Sequence, residues 1–194
     1  MAVDATKVAA GSPLVTGGIL AAPVGTALPT DSDAALNAAF DALGYATDDG
    51  LVPSGDAAST TDIFAWGGDN VLSVTDTPAT KKYTFNLIEI FNEDVNNFIY
   101  GDANVTPTAA GGGQGSRLAI EDKGDEPGSW SLVFDMKHGD KRMRLVVPNG
   151  SVKVLGERAY VDSDVAGWEC EVTCLADADG TYVYRYLEND DVVV

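Results

Sequence analysis

The chain has 194 residues, 45 % of them apolar, and carries 30 acidic against 12 basic side chains for a formal net charge of -18. A surface of that sign repels phosphate backbones and anionic lipid, which argues against nucleic-acid binding and membrane-surface roles. No long Pro/Ser-rich or charged linker interrupts it, so one domain is expected over 1–194.

The charge is unevenly placed. No Lys, Arg or His occurs between Lys7 and Lys81, whereas Asp recurs at 31, 33, 41, 48, 49, 56, 62, 69 and 76. Acidic surfaces keep abundant proteins soluble, which is one reading; the sharper one is a surface that must not stick to nucleic acid. The opening residues lack a basic start followed by an apolar core, and no apolar stretch approaches the ~20 residues of a membrane span. A protein soluble where it is made is expected. The 21 glycines, many in Asp-Gly, Asn-Gly and Gly-Asp pairs, indicate numerous tight turns and hence a β-rich fold.

In chain order, residues 1–29 are Ala, Gly, Val and Pro rich and read as an extended arm with one short strand near 18–22. Residues 33–43 place alanines at i,i+4, with Leu36, Phe40 and Leu43 at helical spacing behind Ser32 as a cap, which predicts a short helix ended by Gly44. Short strands follow at 45–47 and 51–53 around Asp48-Asp49-Gly50. Residues 60–66, a turn at 67–70 and the return at 71–77 form a hairpin signature. The run 81–91 alternates and then turns apolar on both sides at Ile88 and Ile90, predicting an end buried on both faces. Asn92-Glu93-Asp94 opens a second helix with Val95, Phe98 and Ile99 at helical spacing, stopping at Gly101.

The low-complexity stretch 106–115 is expected to be a flexible loop, or an arm that orders only on a partner. Strands are predicted at 117–121, 129–137, 142–147, 152–161, 168–176 and 181–187, with turns at 138–140, at Pro148-Asn149-Gly150 and at 177–180. Cys170 and Cys174, four strand residues apart, are separated by roughly 13 Å, beyond disulfide reach, and should be free thiols on one sheet face. The fold class is therefore mainly β, an antiparallel sandwich or barrel with one or two short flanking helices.

Catalytic chemistry finds no foothold in this inventory. The only imidazole, His138, falls in a hairpin turn, and Cys170, Cys174 and His138 lack zinc-ligand spacing. Asp177 to Gly180 superficially resembles a calcium loop without its later ligands, and reads as a plain turn. The glycines at 111–115 lack the Lys-Ser/Thr of a phosphate loop. Lys137, Lys141, Arg142 and Arg144 are the densest basic cluster, too short and too closely flanked by Asp135 and Asp140 for nucleic acid, and are read as a positive edge facing an acidic neighbour. No cofactor, metal or enzymatic activity is expected.

The blocks LGYATDDGL (43–51), TTDIFAWGGDNV (60–71), KKYTFNLIEIFNEDV (81–95) and YGD (100–102) resemble the major tail tube protein of long, noncontractile-tailed bacteriophages of actinobacterial type. WSLVFDMKHGDKRMRLVVPNGSV (130–152) and ADGTYVYRYLEND (178–190) extend the resemblance to most of the chain beyond residue 42. It implies a structural subunit whose six copies close into a ring, with rings stacking into a tube that conducts the genome without specific DNA binding. Tape-measure, terminator and distal tail proteins would be its partners, and the virion tail its location. The 60–77 hairpin, with Phe64, Trp66, Val71 and Leu72, would be a contact between neighbours, although Phe64 and Trp66 are equally readable as core. The arm before Pro29 and the 106–115 loop would lock ring upon ring, and part of the set Asp48, Asp49, Asp56, Asp62, Asp69 and Asp76 would face the lumen. The alternative from another class is a tail-tip or cell-surface β-sandwich binding module.

Overall fold

The computed structural model describes residues 3–14, 18–156 and 160–189. Among these, the strands in chain order are β1 (Ser12–Pro13), β2 (Ile19–Pro23), β3 (Asp41–Ala42), β4 (Val52–Ser54), β5 (Ser59–Phe64), β6 (Asn70–Thr77), β7 (Lys82–Leu87), β8 (Val105–Thr108), β9 (Arg117–Ile120), β10 (Gly128–His138), β11 (Lys141–Leu155), β12 (Trp168–Leu175) and β13 (Tyr184–Glu188). The one α-helix among the described residues, α1 (Glu93–Tyr100), is capped by the Asn92 side chain, which accepts from the Asp94 amide at 3.0 Å. The fold is thus mainly antiparallel β with one flanking helix, as the alternation and turn spacing predicted.

The main sheet runs β3-β2-β10-β11-β12-β7-β4, with β1 also on β10 and β13 also on β11. Its two ends are drawn together by residues 41–47. Leu43 donates its amide to the Ile19 carbonyl at 2.9 Å, the chain turns at Gly44, and Thr47 then donates to Asn86 at 3.0 Å while Ile88 donates to Tyr45 at 3.1 Å. Glu89 holds the corner by accepting the Tyr45 amide at 2.8 Å. The enclosed face collects Ile19, Leu43, Phe85, Leu132, Phe134, Val172 and their neighbours, and α1 buries Val95, Phe98 and Ile99 against it. Strand β12 alternates Trp168, Cys170, Val172 and Cys174 inward, so both cysteines are free and buried on one face, as the period of two requires.

Strand β10 is buried on both faces. Val133, with Ala22 and Val146, looks outward and is covered by Phe40, Leu36 and Leu28 from the 24–40 segment and by Tyr184 and Tyr186 of β13. That segment is where a helix was expected over 33–43, and none forms. Arg144, 6 % exposed, pairs bidentately with Asp135, 8 % exposed, through Nε at 2.6 Å and Nη2 at 2.8 Å. Its Nη1 donates to the carbonyls of Ala34 at 2.8 Å and Asp31 at 3.2 Å. The Asp31 carboxylate takes the amides of Asp33 and Ala34, Asn37 takes that of Ala39 at 3.0 Å, and Ser32 donates to Glu188 at 2.7 Å rather than capping. A helix this short is marginal in isolation, and side-chain and guanidinium bonds to its backbone outcompete it.

Two further expectations are corrected. Pro148-Asn149-Gly150 is no turn: β11 continues through it to Leu155, with a register shift against Trp130 and Leu132 of β10. Pro148 lacks a donor and is tolerated where the ladder is broken, and its carbonyl accepts the buried Ser131 hydroxyl at 2.7 Å. Gly150 is needed there because a Cβ would meet Val172 Cγ1 at 2.6 Å. At this bend β11 exchanges its outer partner, β13 for residues 142–146 and β12 for 149–155. The 81–91 run does not end buried on both faces either. β7 stops at Leu87, Ile88 and Ile90 are half-buried, and Phe91 is exposed, because the chain turns there to start α1.

Truncating one partner of a buried ion pair strands the other, at a cost of about 3–5 kcal/mol. Asp135→Ala is therefore expected to lower the urea-unfolding free energy by that order and to remove amide-exchange protection from residues 31–40. A loss below about 1 kcal/mol would show that the pair does not organise the segment.

Candidate assembly surfaces

The hairpin β5–β6 forms a separate two-stranded sheet that pairs with no strand of the main sheet. Its register places Thr61 opposite Val74 and Ile63 opposite Leu72 on one face, with Thr60 opposite Thr75 and Asp62 opposite Ser73 on the other. One face is thus apolar and one polar, and the Ser73 hydroxyl donates to the Asp62 carboxylate on the polar side. The register shifts between Ile63 and Phe64, and the tip closes through Ala65 donating to Asp69 at 2.8 Å and Gly68 donating to Ala65 at 3.0 Å. Trp66, at 107 % relative exposure, stands clear of the protein at that tip, and Phe64, Val71 and Leu72 are 60 %, 65 % and 55 % exposed.

Phe64 and Trp66 are therefore not core. Ile63 and Val74, missed in the sequence, complete the apolar face. Strand alternation carried their signal, since both sit two residues from a β-branched or apolar neighbour, but a half-buried strand and a free one read alike.

The acidic set is not one cluster. Asp48 and Asp49 occupy the exposed turn closed by Gly50 donating to Thr47 at 3.0 Å. Asp56 is exposed after β4, its amide donating to Thr80 Oγ1 at 2.9 Å, and Asp62 and Asp69 are exposed on the hairpin. Asp76 lies in β6, and its side chain is outside what the structure describes. The backbone thus distributes these carboxylates over one turn, the hairpin base and the hairpin itself.

Residues 105–120 build a second arm. β8 and β9 pair from Val105↔Ile120 to Thr108↔Arg117, and Gly111 and Gln114 exchange amide bonds of 3.0 Å around Gly112 and Gly113. Both central glycines have positive φ, the combination this tight turn requires. The stretch expected as a loop or arm is thus part of a hairpin, because Thr106 and Thr108 on one side and Leu118 and Ile120 on the other flank turn-competent glycines.

The basic cluster is divided by the fold. Arg144 is withdrawn into the core pair with Asp135, and the Lys141 ammonium donates to the carbonyls of Thr6 and Val8. Lys137 and Arg142 face each other across the end of β10–β11 beside His138, which sits before the Gly139-Asp140 turn. Among the described residues, no group of three or more His, Cys, Asp or Glu is placed to hold a metal ion. The Asp177 carboxylate is engaged internally, accepting from Tyr184 Oη at 2.6 Å and the amides of Thr181 at 2.9 Å and Asp179 at 3.0 Å. A groove of about 620 Å³ lies between residues 11–14, which include β1, and the 45–51 loop, and an apolar notch of about 560 Å³ lies at 88–92 with Val165 and Ala166.

Ile63, Phe64, Trp66, Val71, Leu72 and Val74 gather exposed on one hairpin of this antiparallel β protein, a surface suited to contact between proteins. A family model described as phage tail tube protein matches residues 1–194. The chain belongs to the phage tail tube protein family, a family of structural proteins and not of enzymes. It is a component of the virion tail, where its copies assemble into a tube. A search of curated proteins finds no match to the sequence.

The turn at 177–184 has a pH signature. The Tyr184 hydroxyl, then the Thr181 amide, holds the Asp177 carboxyl below the usual carboxylate range, and the same bond to Asp177 raises Tyr184 above its ordinary value. The Asp177 contribution is present above its unfolded pKa near 4 and is lost as pH falls through the lower folded value; the Tyr184 contribution is present below about 10 and is lost as pH rises through the higher one. Tyr184→Phe should move the Asp177 carboxyl titration upward, read by NMR. An unmoved midpoint would show that the hydroxyl does not hold the carboxylate.

Proposed function

We propose that this tail tube subunit closes with five identical copies into a ring, and that rings stack into the tube of a long noncontractile tail through which the genome passes. The observation that carries the reading is the β5–β6 hairpin. An isolated two-stranded hairpin is at best marginally stable in water, and this one keeps its apolar face exposed. A neighbouring subunit covering it removes that surface from water. Full burial of Phe64, Val71 or Leu72 gains about 1.5–3 kcal/mol each as an upper bound, enough for a few such hairpins to drive a ring.

Head-to-tail contacts of this kind close into rings when the rotation closes and continue into filaments when it does not. On the same reading the strong negative charge lets DNA slide past without specific binding, and Asp48, Asp49, Asp56, Asp62, Asp69 and Asp76 contribute to the lumen wall in part. The tape-measure protein would occupy the lumen before DNA, with the terminator and distal tail proteins at the two ends, and no membrane contact is involved.

Phe64→Ser/Trp66→Ser is expected to leave the unfolding free energy of the subunit within about 0.5 kcal/mol, as for exposed sites. The same variant should abolish tubes seen by negative-stain microscopy over a concentration series that polymerises the wild type. Undiminished tubes would remove the hairpin from the interface. A density map of the tube is expected to place part of the acidic set on the lumen, and a map with all six carboxylates outside would refute that assignment.

A further inference from the structure

A second exposed apolar patch, apart from the β5–β6 hairpin, lies at the N-terminal end of α1. Phe91, 89 % exposed, follows half-buried Ile88 and Ile90, and with Val165, 59 % exposed, they line the notch of about 560 Å³. Its surroundings are acidic: Glu89 is in its wall, and Glu93 and Asp94 occupy the first turn of α1. Partial burial pushes the Asp94 carboxyl above its usual range, and the charges that add to the shift, those of Asp41 and Glu93, are both negative. A surface that fills this notch must therefore bring apolar side chains without further acid, and a cation with them is favoured.

The β8–β9 hairpin meets those requirements at the other end of the same helix, about 12 Å away for its eight residues. Its base is pinned by buried Val105 and by the Glu121 amide, which donates to the Asn104 carbonyl at 2.9 Å. Pro107 pairs with Leu118 on the face that also carries Ile120, 39 % exposed, and the opposite face is formed by Thr106, Thr108, Arg117 and Ala119. Arg117 is the sole charge in 103–120. A two-stranded unit of this size needs its apolar face packed, yet no residue of 105–120 lines the notch of its own chain. Resting on the tube reading above, we propose that the β8–β9 hairpin of one subunit seats in the 88–92 notch of the next, its apolar face against Phe91 and Val165 and Arg117 at the acidic rim. Because the two surfaces lie at opposite ends of α1, each copy gives one hairpin and receives one, the head-to-tail relation from which rings and filaments are built. Apolar burial and the introduction of a cation among mutually repelling carboxylates act in the same direction.

A photoreactive benzophenone side chain introduced in place of Phe91 reports what fills the notch. Irradiated dilute subunits should run as single chains on a denaturing gel, whereas irradiated tubes should give linked chains whose adducts map by mass spectrometry to residues 105–120. Tubes whose adducts map elsewhere, to the β5–β6 hairpin or to the main sheet, overturn this contact and leave assembly standing. A charge exchange tests it without the probe. Arg117→Glu should raise the protein concentration needed for tubes about threefold, within the range of an exposed ion pair. Adding Glu93→Arg to that chain should reverse the rise, and adding Asp179→Arg, which returns the same net charge beyond the opposite end of β12, should not. Equal rescue by the two, or no effect of Arg117→Glu, overturns the contact. A wild-type chain that stays monomeric at every concentration overturns the tube reading itself.

Discussion

The buried pair between Arg144 and Asp135 ties the β10–β11 ladder to the 24–40 segment that packs over it. Its two charges are adjacent in the β10–β11 ladder, so the hairpin itself brings them together and their desolvation is offset by two short charge-assisted bonds. The remaining guanidinium donors reach across to Asp31 and Ala34 and hold the 24–40 segment over the outer face of β10. That cover, together with Tyr184 and Tyr186 of β13, keeps Val133 and Val146 from water. The Asp135 backbone meanwhile donates to Gly18 and accepts from Leu14, so the same residue also positions the join between β1 and β2.

From this frame the assembly surfaces project. The main sheet consumes its own edges, drawn together by 41–47, and what remains outside is two hairpins and a lightly held strand. The hairpins differ in chemistry. β5–β6 carries Ile63, Leu72 and Val74 on one face and Trp66 at its tip, while the stretch 103–120 contains no acidic residue and a single cation, Arg117, in a chain of net charge -18. Self-association of so acidic a protein meets like-charge repulsion, and contact is cheapest where apolar or neutral surface is presented.

Much of the second half was legible in the sequence. Tight-turn glycines and period-two alternation located β10, β12 and the β5–β6 pair, and Asn92-Glu93-Asp94 marked α1, because those signals are local and the fold agrees with them. The helix expected over 33–43 failed for the opposite reason: its alanine spacing is a weak local preference, and the competing interaction comes from Arg144, more than a hundred residues away. Pro148-Asn149-Gly150 carries the composition of a turn, yet a bulge against Ser131 accommodates all three inside one strand.

The family was readable from the order of its sequence blocks, and the absence of catalytic groupings from composition. Which apolar residues form the core and which await a neighbour was not readable, since Phe64 in β5 and Phe85 in β7 sit in strands of the same texture. Sequence by itself determined β10, β12, the β5–β6 pair and α1, the free thiols facing one way and the acidic character, all of which follow from local periodicity and charge. Tertiary structure alone decided that the 60–77 hairpin stands apart, that Arg144 leaves the positive edge for the core, and that β1 pairs with β10 over only two residues. Each of those depends on contacts distant in sequence, which no local pattern encodes.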